Sequence, residues 1–411
     1  MPEDIKLRAN TDAESVALIE PGFQNSIFYK RPHMAVSDFA LEKKINTPIA
    51  GSSAQSGQNV AFDIEKEGTV IDDVSLQFTI PALTIPVDGT YARYQDCGLA
   101  HIFNYIEFIY SSTTLYRLSM DELFSDYQTK NDEKKRIFDV MTKTNLTPAQ
   151  RNTLATAPQT IRIKLNTLWK GCGNQLALVS LSNKLRIAFR LNDAAAVVQT
   201  DGTKPLSLNY TDIRLVYNVG HIPGRERIDL SNMALRPDGV NTMFTDVIMV
   251  TKLIRANELN TVNAGYELPL TEAVGAIRHI RGFLRTTEQV SSTTADTAYY
   301  EIDTSLLSDF EFEIKGNERR LFERTQYAID QPEYNDKYYQ SGPEQDHFYA
   351  FWDVEHDNPH FASGHINLAN FAAAKLVMKK YSNHPDLELT LLFYRWNWTN
   401  LKNGNYQVIW S

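Results

Sequence analysis

The 411-residue chain carries 41 Lys and Arg against 50 Asp and Glu, a formal charge of −9, with 43% hydrophobic and 22% charged residues. Those proportions exclude a disordered or collagen-like chain, and the acidic balance argues against a generally basic nucleic-acid binder. At roughly 100–200 residues per domain, the length predicts two or three domains with real cores. Cys97 and Cys172 are the two cysteines, too few for a disulfide-stapled secreted scaffold. The opening Met-Pro-Glu-Asp-Ile-Lys lacks a signal-peptide pattern, and no apolar stretch reaches the about 18 residues a spanning helix needs. The chain is therefore expected in a reducing cytosol, with the sequons at Asn145, Asn209 and Asn397 read as chance matches.

Short strands dominate. In residues 69–81 (TVIDDVSLQFTIP), Val74, Leu76, Phe78 and Ile80 alternate with polar neighbours, the period of a half-buried strand. Residues 102–110 form a second apolar, β-branched and aromatic run. Helical spacing is confined chiefly to residues 120–143, with Leu123, Tyr127, Ile137 and Val140 as its apolar positions, and to a turn or two at 148–156. Strands are predicted again at 159–165, 184–191 and 206–217. After His221-Ile222-Pro223-Gly224 the pattern restarts, with strands at 247–254, 276–284, 310–314, 375–379 and 387–394. Asn403-Gly404 is a tight-turn signal leading into a last strand at 406–410. Regularly spaced strands with turn signals predict sandwiches or barrels.

The halves echo each other faintly. Ile106-Glu107-Phe108, a polar turn at 111–114 and Leu115-Tyr116 correspond to Phe310-Glu311-Phe312, a turn at 315–318 and Leu321-Phe322, an offset of 310 − 106 = 204 residues. Leu181-Ser182-Asn183 and Leu368-Ala369-Asn370 each precede a further strand. This suits a duplicated β-sandwich.

Candidate chemistry is sparse. His356, His360 and His365 lie with Glu355 and Asp357 in one eleven-residue stretch, which suits a divalent metal or a polar loop between strands. Pro359 argues against the regular helix that an i, i+4 histidine pair needs. Cys172, between Gly171 and Gly173, has no local base or oxyanion hole and reads as a structural thiol. Asp72-Asp73 and Asp346 have no partner legible in sequence, and there is no Walker loop or dinucleotide fingerprint. Basic clusters at Lys30-Arg31, 225–227, 278–285 and Arg319-Arg320 suit nucleic-acid phosphates, a neighbouring subunit's acidic edge, or solvated strand faces. Trp352, Trp396, Trp398 and Trp410 crowd the last sixty residues, and Trp396 and Trp398 share one strand face. They suit a sandwich core or subunit interface more than a sugar platform.

Five stretches carry a family resemblance. They are 23–33 with Tyr29, Lys30 and Arg31; 68–83 with Gly68, Leu76, Gln77 and Pro81; 100–115; 175–187; and 363–368 with Ser363, Gly364 and Asn367. In this order they resemble the double jelly-roll major capsid proteins of eukaryotic double-stranded DNA viruses and related elements (nucleocytoplasmic large DNA viruses, polintons and virophages). Ser111-Ser112 stands where the family has a glycine pair, and residues 400–410 replace its small-residue ending.

The resemblance implies an all-β chain of two consecutive eight-stranded jelly-roll sandwiches with a few short helices in the loops. Its divisions are an N-terminal arm (1–22), a first roll (23–222), a linker (223–240) and a second roll (241–411). It implies a capsid subunit that trimerises into pseudo-hexameric capsomers and tiles an icosahedral shell, made in host cytoplasm and housed in the virion. Expected partners are two further copies, neighbouring capsomers, penton and minor capsid proteins, and an inner membrane or genome met through the arm. No catalytic residue, cofactor, metal or small-molecule substrate is expected, and the signature residues are structural. The alternatives are a carbohydrate-binding sandwich, which predicts an exposed Trp396 or Trp398, and a metal-dependent enzyme built on His356 and His360.

Overall fold

The strongest alternating segments form central strands of the sheets. In the computed structural model the first strands are β1 (Ala40–Asn46), β2 (Ala54–Gln55), β3 (Asn59–Ile64), β4 (Val70–Ile80) and β5 (Ala92–Tyr94). A hairpin, β6 (Phe103–Tyr110) and β7 (Thr113–Ser119), leads into helices α1 (Met120–Gln128), α2 (Asp132–Thr142) and α3 (Pro148–Ala155). Next come β8 (Gln159–Lys164), β9 (Leu176–Ala177), β10 (Leu185–Leu191), α4 (Ala194–Val197), β11 (Val198–Thr200) and β12 (Asn209–His221). One sheet runs β1-β12-β4-β8, with β2 on β12 and β9 on β4; the facing sheet runs β3-β10-β6-β7. Between them Phe62, Leu76, Phe108, Ile163, Trp169 and Ile187 form one core.

The second half repeats this plan. Helix α5 (Gly224–Met233) precedes β13 (Val240–Ile254), β14 (Tyr266–Pro269), β15 (Ala276–Thr286), β16 (Leu307–Lys315) and β17 (Arg320–Phe322). Then come β18 (Phe348–Phe351), β19 (Ala373–Lys380), β20 (Leu387–Lys402) and β21 (Asn405–Val408). The sheets run β13-β20-β15-β18, with β21 on β20, and β14-β19-β16-β17. Counting eight principal strands per half, both halves have strands 1-8-3-6 in one sheet and 2-7-4-5 in the other. That is jelly-roll connectivity, twice. The structure describes residues 40–95, 102–128, 132–169, 176–222, 224–233, 235, 239–256, 266–270, 272, 274–287, 307–315, 320–322, 348–351, 365–368, 371, 373–380 and 385–409.

The 204-residue echo falls on equivalent strands, because β6–β7 and β16–β17 are the fourth and fifth of their rolls. The stretch expected as a linker carries the ten-residue α5, tied back where Ser180 donates to the Leu230 carbonyl at 2.9 Å. The single helix expected over 120–143 is two helices. In the second of them Phe138 packs inward, while Ile137 and Val140 are 51% and 64% exposed.

Two positions show backbone conformation deciding the residue. Gly68 enters β4 at φ +87°, where a Cβ would lie 1.9 Å from Val219 Cγ1; only glycine fits. At the β6–β7 turn, Ser111 and Ser112 take φ 47° and 70°, the left-handed pair this hairpin needs and serine dislikes. Replacing both by glycine is therefore expected to raise stability by about 1 kcal/mol in denaturant unfolding. The gain is lessened by losing the Asn183 Nδ2 to Ser111 Oγ bond of 2.6 Å.

Candidate functional site at the junction of the two rolls

The residues with the most constrained chemistry lie where the rolls meet. Ser119 caps α1, accepting from the Glu122 amide at 3.0 Å. Its helical spacing then turns Phe124 and Tyr127 onto the outer face of the second roll, against Phe283, Leu392 and Tyr394. The same helix presents Asp121, Glu122 and Asp126. Arg285, 2% exposed, donates to Asp121 at 3.2 and 3.4 Å, to Glu388 at 2.8 Å and to Thr390 at 3.1 Å. Arg281 donates to Asp126 at 2.9 Å and to the Tyr394 hydroxyl at 3.1 Å, and lies over the Tyr394 ring at 4.3 Å. The His279 ring stacks on that of Tyr394 with centroids 4.3 Å apart.

Burial sorts the carboxyls. Asp126 accepts from Arg281, from Tyr394 at 3.1 Å and from Asn166 at 2.7 Å, so its charge is well solvated by donors. Glu122 is buried and accepts from the Tyr116 hydroxyl. Desolvation, then the neighbouring Asp126 charge, push its carboxyl well above the usual range. A raised folded-state value means the stabilising contribution is complete below the unfolded value near 4.3 and is lost as pH rises through the folded one. Glu122→Gln is therefore expected to gain on the wild type as pH rises above about 4.3. Thermal unfolding of both chains across pH checks this; a constant difference would contradict it.

A second latch runs the other way. The turn between β20 and β21 reaches the first roll, where the Gly404 carbonyl accepts from the Tyr110 hydroxyl and from the Ser182 amide at 2.8 Å. Phe244, Leu401 and Tyr406, all on second-half strands, are part of the first roll's core. Tyr406 meets the Tyr110 ring edge-on at 6.3 Å.

The expected clusters separate in the structure. The basic stretch at 278–285 is neither a solvated face nor a phosphate site: Arg278, Arg281 and Arg285 are buried. Arg278 lies 3.8 Å over Trp396 and donates to Thr245, and the other two pair with α1. Trp396 and Trp398 are 1% and 4% exposed, which removes the exposed platform that the carbohydrate reading required. Asn397 is fully buried, donating to Asp246 at 3.1 Å, so its sequon is closed. Asp73 pairs with Lys164 at 3.1 Å.

Among the signature residues, Leu76 lies in the first core and Gln77 faces away from it, opposite Arg214 and Arg162. Pro81 follows β4, and its carbonyl accepts from the Tyr94 hydroxyl at 2.6 Å. Asn367 follows Ile366, which bridges to Ile277. Tyr29, Lys30, Arg31, Ser363, Gly364, Cys97, Cys172, Asp346, Trp352, Trp410, His356 and His360 lie outside the described residues. Among those described, no group of three or more His, Cys, Asp or Glu is placed to hold a metal ion. A cleft of about 170 Å³ beside Leu83, Pro86, Val198 and Pro205 is small for an organic ligand, which needs roughly 300 Å³ or more.

Sequence reasoning missed α1 as the inter-roll contact. The signal was present in Ser119-x-x-Glu122, a helix-start pattern; the partners of its acids were not.

Solved structures share this architecture. VP54 of PBCV-1 superposes with a TM-score of 0.72 at 11% identity, over 93% of this chain and all of VP54. The Faustovirus major capsid protein gives 0.68 at 10% identity, over 98% of this chain and 97% of its own. The Sputnik virophage structure gives 0.56 at 9% identity, over 95% and 92%. No curated protein matches the sequence. Residues 27–220 match the family model described as major capsid protein N-terminus. The chain has the double jelly-roll fold, and its first half carries the major capsid protein N-terminal domain.

At the junction α1, Arg281, Arg285 and the β20–β21 turn make two rolls into one block. The buried arginines and carboxyls fix how one roll sits on the other, because each charge needs its own partner.

Proposed function

We propose that three copies of this capsid protein form a trimer with a pseudo-hexameric outline, and that such trimers tile an icosahedral shell. The observation that supports this is the strand order 1-8-3-6 over 2-7-4-5 occurring twice in one chain. Two similar rolls per subunit, repeated by a threefold axis, present six similar sides, and heterologous contacts that close in this way make rings. Neighbouring trimers, penton and minor capsid proteins are the further partners. The arm of residues 1–22 meets the capsid interior, a membrane or the genome, and residues 23–222 and 241–411 are the two rolls about the 223–240 linker. The protein is made in host cytoplasm and its role is structural, without turnover; the ten signature residues serve folding and contact.

Solution mass by light scattering tests this. The expected result is three times the 46.8 kDa chain mass, unchanged on dilution; a monomer at every concentration would overturn it.

A further inference from the structure

Helix α1 carries one carboxyl that the junction does not neutralise. Four acids of the seam have arginine partners: Asp126 pairs with Arg281, Asp121 and Glu388 with Arg285, and Asp246 with Arg395 at 2.6 Å. Glu122, 3% exposed, pairs with no cation among the described residues. Its partner is the Tyr116 hydroxyl of β7, with the Asn166 amide alongside. Tyr116 in turn meets the Phe244 ring of β13 edge-on at 6.1 Å. Glu122 therefore lies in the seam itself, where the first roll touches the second.

One hydroxyl donor and an amide do not compensate a carboxylate for the water it gives up on burial. The nearest charges oppose it as well, since they belong to Asp126 and Asp246. An uncharged acid suits the site, because it loses little on burial and repels neither aspartate. Lifting α1 off the second roll returns Glu122 to water, where a glutamate ionises near pH 4.3. Lifting thus releases a proton and becomes easier as pH rises above that value. The other titratable groups around the seam are Tyr394, which donates to Asp126 at 3.1 Å, and His279, stacked on Tyr394. On α2, Asp139 accepts from Tyr127 at 2.7 Å and Lys135 lies over the same ring.

We infer that α1 is a proton-dependent clamp: it grips the second roll hardest while Glu122 is uncharged, and charging that carboxyl loosens the helix without unfolding either roll. The rolls are held at one angle in acid and are freer to adjust as the solution turns alkaline. The clamp works inside one chain, so it stands apart from the trimer proposed above.

Hydrogen exchange read by mass spectrometry on the full chain tests this, from about pH 4 to about pH 9, with exchange times scaled for the intrinsic pH dependence of amide exchange. In the wild type the protection of residues 119–128 is expected to fall about tenfold or more across that range, while β12 of the first roll and β19 of the second keep theirs. In Glu122→Gln the protection of α1 is expected to stay level, because the amide carries no charge and still accepts from Tyr116. Level protection of α1 in the wild type would overturn the inference. A fall shared by all three segments would also overturn it, because that is unfolding of the whole subunit. A fall that Glu122→Gln retains would assign the pH dependence to His279 or another group, and would overturn it equally.

Discussion

Arg285→Ala is expected to cost about 3–5 kcal/mol of folding stability, the range for removing one partner of a buried ion pair. The guanidinium is 2% exposed and joins Asp121 of the first roll to Glu388 and Thr390 of the second. Its loss strands two carboxylates that are only 12% and 21% exposed. The size of the effect comes from those stranded charges rather than from the pair's net worth, so adding Asp121→Asn and Glu388→Gln should recover a large part of it. Denaturant unfolding of the single and triple variants measures both. A triple variant no more stable than Arg285→Ala would show that the arginine matters for packing and not for charge.

Gly404→Ala is the second large loss expected, about 2–4 kcal/mol, combining backbone strain with overpacking. Gly404 sits at φ +77°, and a Cβ there would lie 1.9 Å from Ser182 Oγ and 3.0 Å from Ser182 Cβ. The turn cannot back away without giving up the Tyr110 and Ser182 bonds to its carbonyl. Adding Ser182→Gly removes the side-chain collision and leaves the strain of about 1–2 kcal/mol that a non-glycine residue carries at positive φ. Calorimetry of the two variants separates these parts. If Gly404→Ala melts like the wild type, the hairpin is not a latch.

Both effects arise at contacts no local pattern announces. The period-two strands were legible because alternation is local: residues 69–81 and 184–191 became β4 and β10 almost to the residue. The Asn403-Gly404 turn was legible for the same reason, at φ 51° and 77°. Ile137 and Val140 misled because the packed face runs through Phe138, whose ring meets Tyr127 at 4.9 Å. Short strands such as β2, β9 and β17, two or three residues each, hold too few alternations to show. Strand β1 escaped notice because Leu41 and Ile45 face outward while Glu42 and Lys44 face the rim. The arginines of 278–285 looked like a surface patch because their acids lie 155 and 164 residues earlier. The resemblance supplied what periodicity did not, the pairing of two sandwiches into one capsid subunit.

The most direct test is averaged electron-microscope images of the purified protein viewed down the particle axis. The expected image is a threefold particle with six lobes, alternating in kind as the two rolls alternate round the ring. Particles with two lobes, or rings whose lobe number is not twice the subunit number from the measured mass, would contradict it.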